Sequence, residues 1–85
     1  MKLLTTSSFD ADYAALPTNM QDLVQKKLEL FVANPRHLSL RVKKMEGPRN
    51  IWEGRITRNY RFTFQIESDV CILRRIGTHN ILKTP

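Results

Sequence analysis

Residues 60–66, with the sequence YRFTFQI, decide the fold of this 85-residue chain. Aromatic and aliphatic side chains occupy every second position, and polar side chains occupy the positions between them. Because successive side chains of a strand point to opposite faces of a sheet, this pattern predicts a strand with one apolar and one polar face. A row of aromatic rings is rarely left exposed on a monomer, so other elements must cover the apolar face.

The sequence on both sides of this strand predicts more strands. Residues 38–43 alternate apolar and polar side chains, and residues 51–56 form the next predicted strand. Residues 70–76 are almost continuously apolar, which indicates a strand in the interior of the sheet, and residues 2–6 form a short extended start. Polar turns lie between the strands at residues 47–50, 57–59 and 67–69. Such short connections predict antiparallel pairing.

The N-terminal part of the chain has the spacing of α-helices. The first helix is predicted to follow Ser7 and Ser8, whose hydroxyls can cap its first turn, and to end before Pro17. The second runs from Thr18 to Asn34. Helices followed by consecutive strands predict an α+β domain, with two helices packed on one face of a small, mainly antiparallel sheet of four to five strands.

Length and composition restrict the class of protein. A chain of 85 residues with 41% hydrophobic residues predicts a single domain, spanning residues 1–85, with one modest core. No apolar run reaches the roughly 18 residues that cross a bilayer, so we expect no membrane partner. Cys71 is the only cysteine, which rules out an internal disulfide and suits a reducing compartment. We therefore expect a cytoplasmic protein in which Cys71 is a core residue.

Alternation also predicts which side chains share the polar face of the sheet. Arg61 lies between the aromatic residues of its strand and therefore points away from the core. The same reasoning places Glu53 and Arg55 of the preceding strand on that face, together with Arg41 and Lys43. Four cations around one carboxylate favour binding of a phosphodiester, because arginine binds phosphate through two parallel hydrogen bonds. An ordinary solvated sheet face is the alternative.

The formal net charge of +6 lies entirely in the strand half of the chain. Residues 1–40 contain four cationic and four anionic side chains, whereas residues 41–85 contain ten and four. A basic region of this kind indicates a polyanion such as nucleic acid, or an acidic protein partner. A surface that merely keeps the protein soluble is the other reading.

The two histidines differ in their positions. His79 follows the last strand, two residues beyond Gly77, where it can overhang the cationic face and exchange a proton near neutral pH. By default such a residue is an ordinary surface histidine. His37, in the loop after the second helix, is interpreted as structural or neutral. Two isolated histidines and one cysteine do not form a metal motif, and we expect neither a metal site nor a cofactor.

Four strings of the sequence resemble the RelE/ParE superfamily of bacterial toxin–antitoxin systems. They are VKKMEG at 42–47, IWEGRI at 51–56, NYRFTF at 59–64 and ILRRIGTH at 72–79. In the same order, they are similar to the family's basic first strand, its strand of the pattern aromatic-x-x-Arg/Lys-hydrophobic, its strand of the pattern Tyr/His-Arg-hydrophobic-x-Tyr/Phe, and its final apolar strand closing on Gly-x-His/Arg. Their order, spacing and length match over nearly the whole chain.

The resemblance implies a toxin, with the RelE-like branch favoured. RelE-like members are metal-independent endoribonucleases that cut mRNA in the ribosomal A site. ParE-like members inhibit DNA gyrase, and this is one alternative; a degenerate toxin that acts as a non-catalytic binding module is another. In both branches an acidic antitoxin wraps the toxin, so the resemblance implies a cognate acidic antitoxin as partner.

The resemblance also implies roles for individual residues. Arg61 would bind the scissile phosphate, and Arg55 would occupy a second basic position beside it. His79 is the candidate general acid, and Glu53 is the candidate base; if Glu53 pairs with an arginine, it orients that cation instead. The predicted RNA-binding residues are Arg41, Lys43, Lys44 and Arg58. The chain departs from several ribonuclease members in lacking a tyrosine near its C-terminus, and the tail after His79 is short.

Overall fold

The computed structural model describes residues 1–85. In chain order its elements are β1 (Lys2–Thr5), α1 (Ser7–Ala14), α2 (Thr18–Ala33), a first 3₁₀ helix (Leu38–Leu40), β2 (Lys43–Lys44), β3 (Trp52–Arg55), β4 (Tyr60–Glu67), β5 (Val70–Thr78) and a second 3₁₀ helix, here called the tail helix (His79–Lys83). The strands form one sheet in the order β1-β5-β4-β3-β2. Every pair is antiparallel except β1 with β5. The predicted α+β architecture is confirmed.

The aromatic residues of β4 form the centre of the core, as their alternation predicted. Phe62 and Phe64 are buried, and Phe31 of α2 packs on both, with ring centroids 5.3 and 4.9 Å away. Phe9 of α1 belongs to the same cluster. Burying each such ring contributes roughly 1.5–3 kcal/mol. The two helices therefore cover the apolar face of the sheet and leave its other face for the site described below.

β5 lies in the interior of the sheet, as its apolar sequence predicted, but it contains a bulge. Thr63 pairs with Arg75, whereas the next residue of β4, Phe64, pairs with Leu73. Arg74 is therefore an extra residue without a partner on β4. A bulge changes the direction in which the neighbouring side chains point. Strict alternation along residues 70–76 does not predict this.

Helix α1 is joined to the exposed side of β5 by one carboxylate. Asp12 accepts hydrogen bonds from Arg75 Nε at 2.7 Å, from Arg75 Nη2 at 3.2 Å and from the backbone N–H of Ile76 at 3.2 Å. The hydrogen bond to Asp12 raises the pKa of the Arg75 guanidinium. The contact fixes α1 against the strand beyond the point where β1 ends.

The cap of α1 is Thr6, and the prediction of Ser7 and Ser8 as caps was wrong. Thr6 has extended backbone angles and accepts a hydrogen bond from the N–H of Phe9 at 3.0 Å. Its hydroxyl also donates to the backbone oxygen of Arg74 at 2.7 Å. Thr6 therefore follows β1 directly, caps α1 and contacts β5, so the helix begins at Ser7, earlier than predicted.

The predicted strand at 38–43 was mostly wrong, because only Lys43–Lys44 pairs with β3. Residues 38–40 form a 3₁₀ turn that is stabilised by His37, whose Nδ1 accepts from the N–H of Ser39 at 3.2 Å. Arg41 then adopts a left-handed conformation with φ of 45°. Leu38 is 89% exposed, so its place in an alternating pattern did not reflect burial.

Cys71 is fully buried in the core cluster, as predicted. Burial raises the pKa of its thiol to about 11. The thiol is therefore neutral near pH 7 and behaves as a small apolar group. No helix in the structure has the length and hydropathy to traverse a membrane.

Candidate active site

A small cavity of about 290 Å³ opens on the polar face of the sheet, next to the tail helix. Six of its seven lining residues are charged or titratable. The full set is Arg41, Lys43, Glu53, Arg55, Arg61, His79 and Leu82. The structure therefore brings together all four residues for which the sequence suggested catalytic roles and two of the four predicted RNA-binding residues. Their roles remain predictions.

The register of the strands explains how these side chains meet. Arg55 of β3 pairs directly with Arg61 of β4, and Arg61 pairs with Gly77 of β5. In the adjacent row, Lys43 of β2 pairs with Glu53 of β3. Directly paired residues of neighbouring antiparallel strands point to the same face. Because Gly77 has no side chain, the position beside Arg61 on β5 is open to the following residues of the chain.

Arg55 has the least favourable electrostatic environment of the residues that line the cavity. Its Nε is buried and has no hydrogen-bond partner. Desolvation lowers the pKa of its guanidinium, and the positive charges of Arg61 and Arg41 lower it further. Arginine nevertheless stays charged in proteins. The group therefore has an unused donor and several cationic neighbours, and a bound anion would relieve both.

Arg61 is held in place by the turn that precedes its strand. Its Nη1 donates to the backbone oxygens of Thr57 and Arg58, at 3.1 and 2.7 Å. Its side chain is 14% exposed, and its Nε lies 4.0 Å from Glu53 Oε1. Two backbone acceptors on one guanidinium nitrogen fix the direction of the side chain, while its other nitrogens remain available to a ligand.

Glu53 is the only carboxylate that lines the cavity, and it is 8% exposed. Its Oε1 lies 4.0 Å both from Lys43 Nζ and from Arg61 Nε, the outer limit for an ion pair. Neither cation donates a hydrogen bond to it at this distance. Its negative charge offsets part of the repulsion among the arginines. Nowhere does the structure gather three or more His, Cys, Asp or Glu side chains in a group that could hold a metal ion.

The tail folds back over part of the polar face of the sheet. Ile81 of the tail helix is 6% exposed, and the Thr63 hydroxyl donates to the backbone oxygen of Pro85 at 3.2 Å. As a result Thr63 is fully buried. Leu82, which lines the cavity, was missed by the sequence reasoning. The apolar pair at residues 81–82 was the signal that the tail packs against the domain.

Two of the predicted RNA-binding residues do not line the cavity. Lys44 pairs with Trp52, whose ring packs against the core, so Lys44 lies on the face opposite to Lys43. Arg58 is exposed in the turn between β3 and β4, and only its backbone oxygen contacts Arg61. The one-residue step from Lys43 to Lys44 reverses the side-chain direction, as it must in a strand.

A larger groove of about 890 Å³ lies on the other side of Arg41, between the end of α2, the first 3₁₀ helix and the sheet. Its lining is mostly apolar and contains no acidic side chain. The lining residues are Met1, Phe31, Pro35, Arg36, His37, Leu38, Arg41, Val42, Trp52, Phe64 and Ile66. Three of the exposed large hydrophobic residues of the protein, Met1, Leu38 and Ile66, lie here. Arg41 lines both this apolar groove and the cavity.

No protein-family model and no curated protein matches the sequence, but solved structures match the fold. The YoeB/ParE toxin from Agrobacterium tumefaciens has a TM-score of 0.77 at 20% identity, covering 93% of this chain and 99% of that one. For YafQ from E. coli strain BL21(DE3), the TM-score is 0.79 at 10% identity, with coverage of 95% and 96%. The RelB-RelE antitoxin-toxin complex from Methanococcus jannaschii gives 0.74 at 22%, covering 95% of each chain. The chain therefore has the RelE-like toxin fold.

Proposed function

We propose that this protein is the toxin of a toxin–antitoxin system and acts as a metal-independent endoribonuclease on mRNA in the ribosomal A site. One observation carries the proposal: Arg55 and Arg61 are direct cross-strand partners in a cavity that also contains His79. The buried Arg55 Nε has no hydrogen-bond partner within the protein, which supports anion binding by this pair. A phosphodiester on the arginine pair would lie beside a group able to transfer protons.

The proposed reaction is attack of a ribose 2′-oxygen on the adjacent phosphorus. The 2′-O–P bond forms and the P–O5′ bond breaks, which yields a 2′,3′-cyclic phosphate and a 5′-hydroxyl. Negative charge grows on the phosphoryl oxygens in the transition state. Arg55 and Arg61 would stabilise that charge, because preformed donors aimed at it require little reorganisation. Arg41 and Lys43, at the rim, would bind the neighbouring phosphates.

The two proton transfers are assigned to the two remaining titratable groups. His79 would protonate the departing 5′-oxygen, since an imidazole can carry a proton near neutral pH. Glu53 would take the proton from the 2′-hydroxyl, because it is the only carboxylate in the cavity. Its 4.0 Å distance to Arg61 leaves it free of a hydrogen bond with that cation, which supports a base over a purely orienting role.

The proposal is tested by expressing the chain from a repressible promoter and mapping mRNA 5′ ends by primer extension. We expect arrest of translation with new ends inside translated messages, and relief of the arrest by Arg61→Ala. Arg49→Ala is the matched control, since Arg49 is exposed and lines neither cavity nor groove. Intact mRNA with DNA breaks would indicate a gyrase inhibitor instead, and harmless expression would indicate a binding module.

The proposed partner is a cognate antitoxin with an acidic, amphipathic segment. The apolar groove offers exposed hydrophobic side chains, and its only charged or titratable side chains are those of Arg36, His37 and Arg41. Charge complementarity of this kind speeds association and favours an acidic partner. Because Arg41 belongs to both groove and cavity, a carboxylate bound to it would also remove a cation from the RNA-binding rim. The solved RelB-RelE complex of similar fold supports a partner of this class.

A further inference from the structure

We propose that Thr63 and Arg74 are positioning residues that hold the tail helix, and with it His79, over the arginine pair. The inference rests on the proposed function, in which His79 supplies a proton at the cavity. Neither residue lines the cavity, and the Thr63 hydroxyl and Arg74 Nε both donate to the backbone oxygen of Pro85. Their action has to pass through the chain that they hold.

Both residues bind the same atom at the far end of the tail. The Thr63 hydroxyl donates to the backbone oxygen of Pro85 at 3.2 Å, and Arg74 Nε donates to it at 3.1 Å. Arg74 is oriented in turn by Gln65, whose Oε1 accepts from Nη1 at 2.8 Å. Thr63 is fully buried, so this contact is shielded from water. A half-buried acceptor that receives two hydrogen bonds, one of them from a fully buried hydroxyl, is an attachment point for the tail.

The near end of the tail is attached at Gly77. A Cβ at this position would lie 2.9 Å from Cγ2 of Ile81, so the tail helix packs directly on the glycine. Ile81 is 6% exposed. His79 therefore lies between two attachment points, one at Gly77 and one at Pro85. A 3₁₀ helix of five residues is weak by itself, so its position depends on these attachments.

The bulge in β5 is what supplies donors to the tail. After the buried Leu73, strict alternation would turn Arg74 outward and Arg75 into the core. The extra residue in β5 places both arginines on the side of the sheet where the tail lies. Arg74 Nε donates to Pro85, and Arg75 Nη1 donates to the backbone oxygen of Thr84 at 3.1 Å. The bulge therefore redirects two arginine side chains toward the tail, and bulges beside active sites often redirect side chains in this way.

Removing the hydrogen bonds to Pro85 should impair proton transfer by His79 and leave phosphate binding by Arg55 and Arg61 intact. Arg55 and Arg61 are fixed by the sheet and by the β3–β4 turn, so the KM for an RNA substrate should change by less than about twofold. Displacing His79 should lower kcat by about 10- to 100-fold, the size of effect that small misplacements of a catalytic group produce. If Thr63 and Arg74 were merely structural, their substitution would lower the stability of the fold without lowering kcat selectively over KM.

The experiment compares wild type with Arg74→Met and with the double variant Thr63→Val/Arg74→Met. Lys83→Met is the matched control, because it removes one charge from the tail helix without removing an attachment. Inorganic phosphate is titrated while the ring resonances of His79 and His37 are followed by NMR, and His37 serves as the internal reference outside the cavity. The single variant Arg74→Met leaves the buried Thr63 unchanged, so it can be studied even if the double variant does not fold. Circular dichroism verifies that each variant is folded.

In the wild type and in Lys83→Met, phosphate should shift the His79 resonance and leave that of His37 unchanged. In the Arg74 variants the His79 shift should shrink, kcat should fall as stated, and Thr63→Ser should retain wild-type behaviour. A His79 shift of full size in the folded double variant overturns the positioning role and leaves the proposed function standing. No His79 shift in the wild type overturns both.

Discussion

Arg55 and Arg61 face each other across β3 and β4 as a directly paired couple of like charge. Like charges in this arrangement destabilise a sheet, and Arg55 Nε is in addition buried without an acceptor. Glu53, at 4.0 Å from Arg61, offsets only part of the repulsion. A costly arrangement of this kind is typical of a site whose charge is balanced by a ligand.

This relationship predicts opposite effects of Arg55→Met on stability and activity. Removing the guanidinium removes the repulsion and the unpartnered Nε, so the melting temperature should stay the same or rise. In the proposed reaction the phosphate would then lose one of its two central cations, so RNA cleavage should be lost. Inorganic phosphate should raise the melting temperature of the wild type and of the Arg49→Met control, but not that of Arg55→Met. A large loss of stability in Arg55→Met would show that the pair is structural.

The role of Glu53 is tested by Glu53→Gln, which keeps the shape and removes the charge. If Glu53 accepts the 2′-hydroxyl proton, the cleavage rate should fall by about 100-fold or more. Phosphate binding should tighten at the same time, because one negative charge leaves a cationic cavity. Single-turnover cleavage and phosphate titration measure the two effects. Retained cleavage with weaker phosphate binding would instead assign Glu53 the task of orienting Arg61.

Asp12→Asn should destabilise the fold by about 1–3 kcal/mol, because it leaves hydrogen-bond donors of Arg75 and Ile76 with weaker partners. Since the pKa of Arg75 is raised in the folded state, its contribution is complete below the ordinary arginine pKa and is lost only as pH rises past it. The difference in unfolding free energy should therefore be constant between about pH 6 and pH 9, well below that range. Urea unfolding measures it, and the exposed Asp22→Asn is the control. A difference that disappears by pH 9 would contradict this account.

Cys71 should resist alkylation in the folded protein. Its thiol is fully buried, and its pKa is raised to about 11, so very little thiolate exists at pH 8. Iodoacetamide should modify it only after addition of urea, as followed by intact mass. Rapid modification without urea would mean that β5 opens locally far more often than its position inside the sheet implies.

The sequence predicts a structural element correctly where its residue pattern can arise in only one way, for example by burial of one face of a strand. The alternation in β4 is unambiguous because every second residue is a large apolar group, and Phe62 and Phe64 are buried as predicted. The same alternation around Leu38 failed, since short runs of period two also occur in turns, where a contact such as that of His37 with Ser39 decides the backbone.

Most residues that line the cavity could be predicted from the sequence, whereas the folding of the tail over the sheet could not. Strand pairing follows from short turns, and it brings Glu53, Arg55 and Arg61 together in register. The tail helix depends on long-range contacts of Pro85 with Thr63 and on a bulge in β5, neither of which leaves a periodic signal. Such features arise where tertiary packing overrides local preference.

The groove and the cavity share Arg41, which predicts that substitutions separate antitoxin binding from catalysis in a defined way. Leu38→Asp places a negative charge on a groove residue that is 89% exposed, so it should weaken antitoxin binding by about 100-fold and leave cleavage unchanged. Arg41→Ala should weaken both, because its side chain lines both surfaces. Association kinetics with the cognate antitoxin, at two salt concentrations, measure binding.

Val32→Asp is the matched control for Leu38→Asp, because Val32 is also an exposed apolar residue, at 41%, but does not line the groove. It should bind the antitoxin like the wild type. If Val32→Asp and Leu38→Asp weaken binding equally, the antitoxin does not use the apolar groove. If Arg41→Ala impairs cleavage alone, the antitoxin reaches the groove without the shared cation, and inhibition must then proceed by covering the cavity itself.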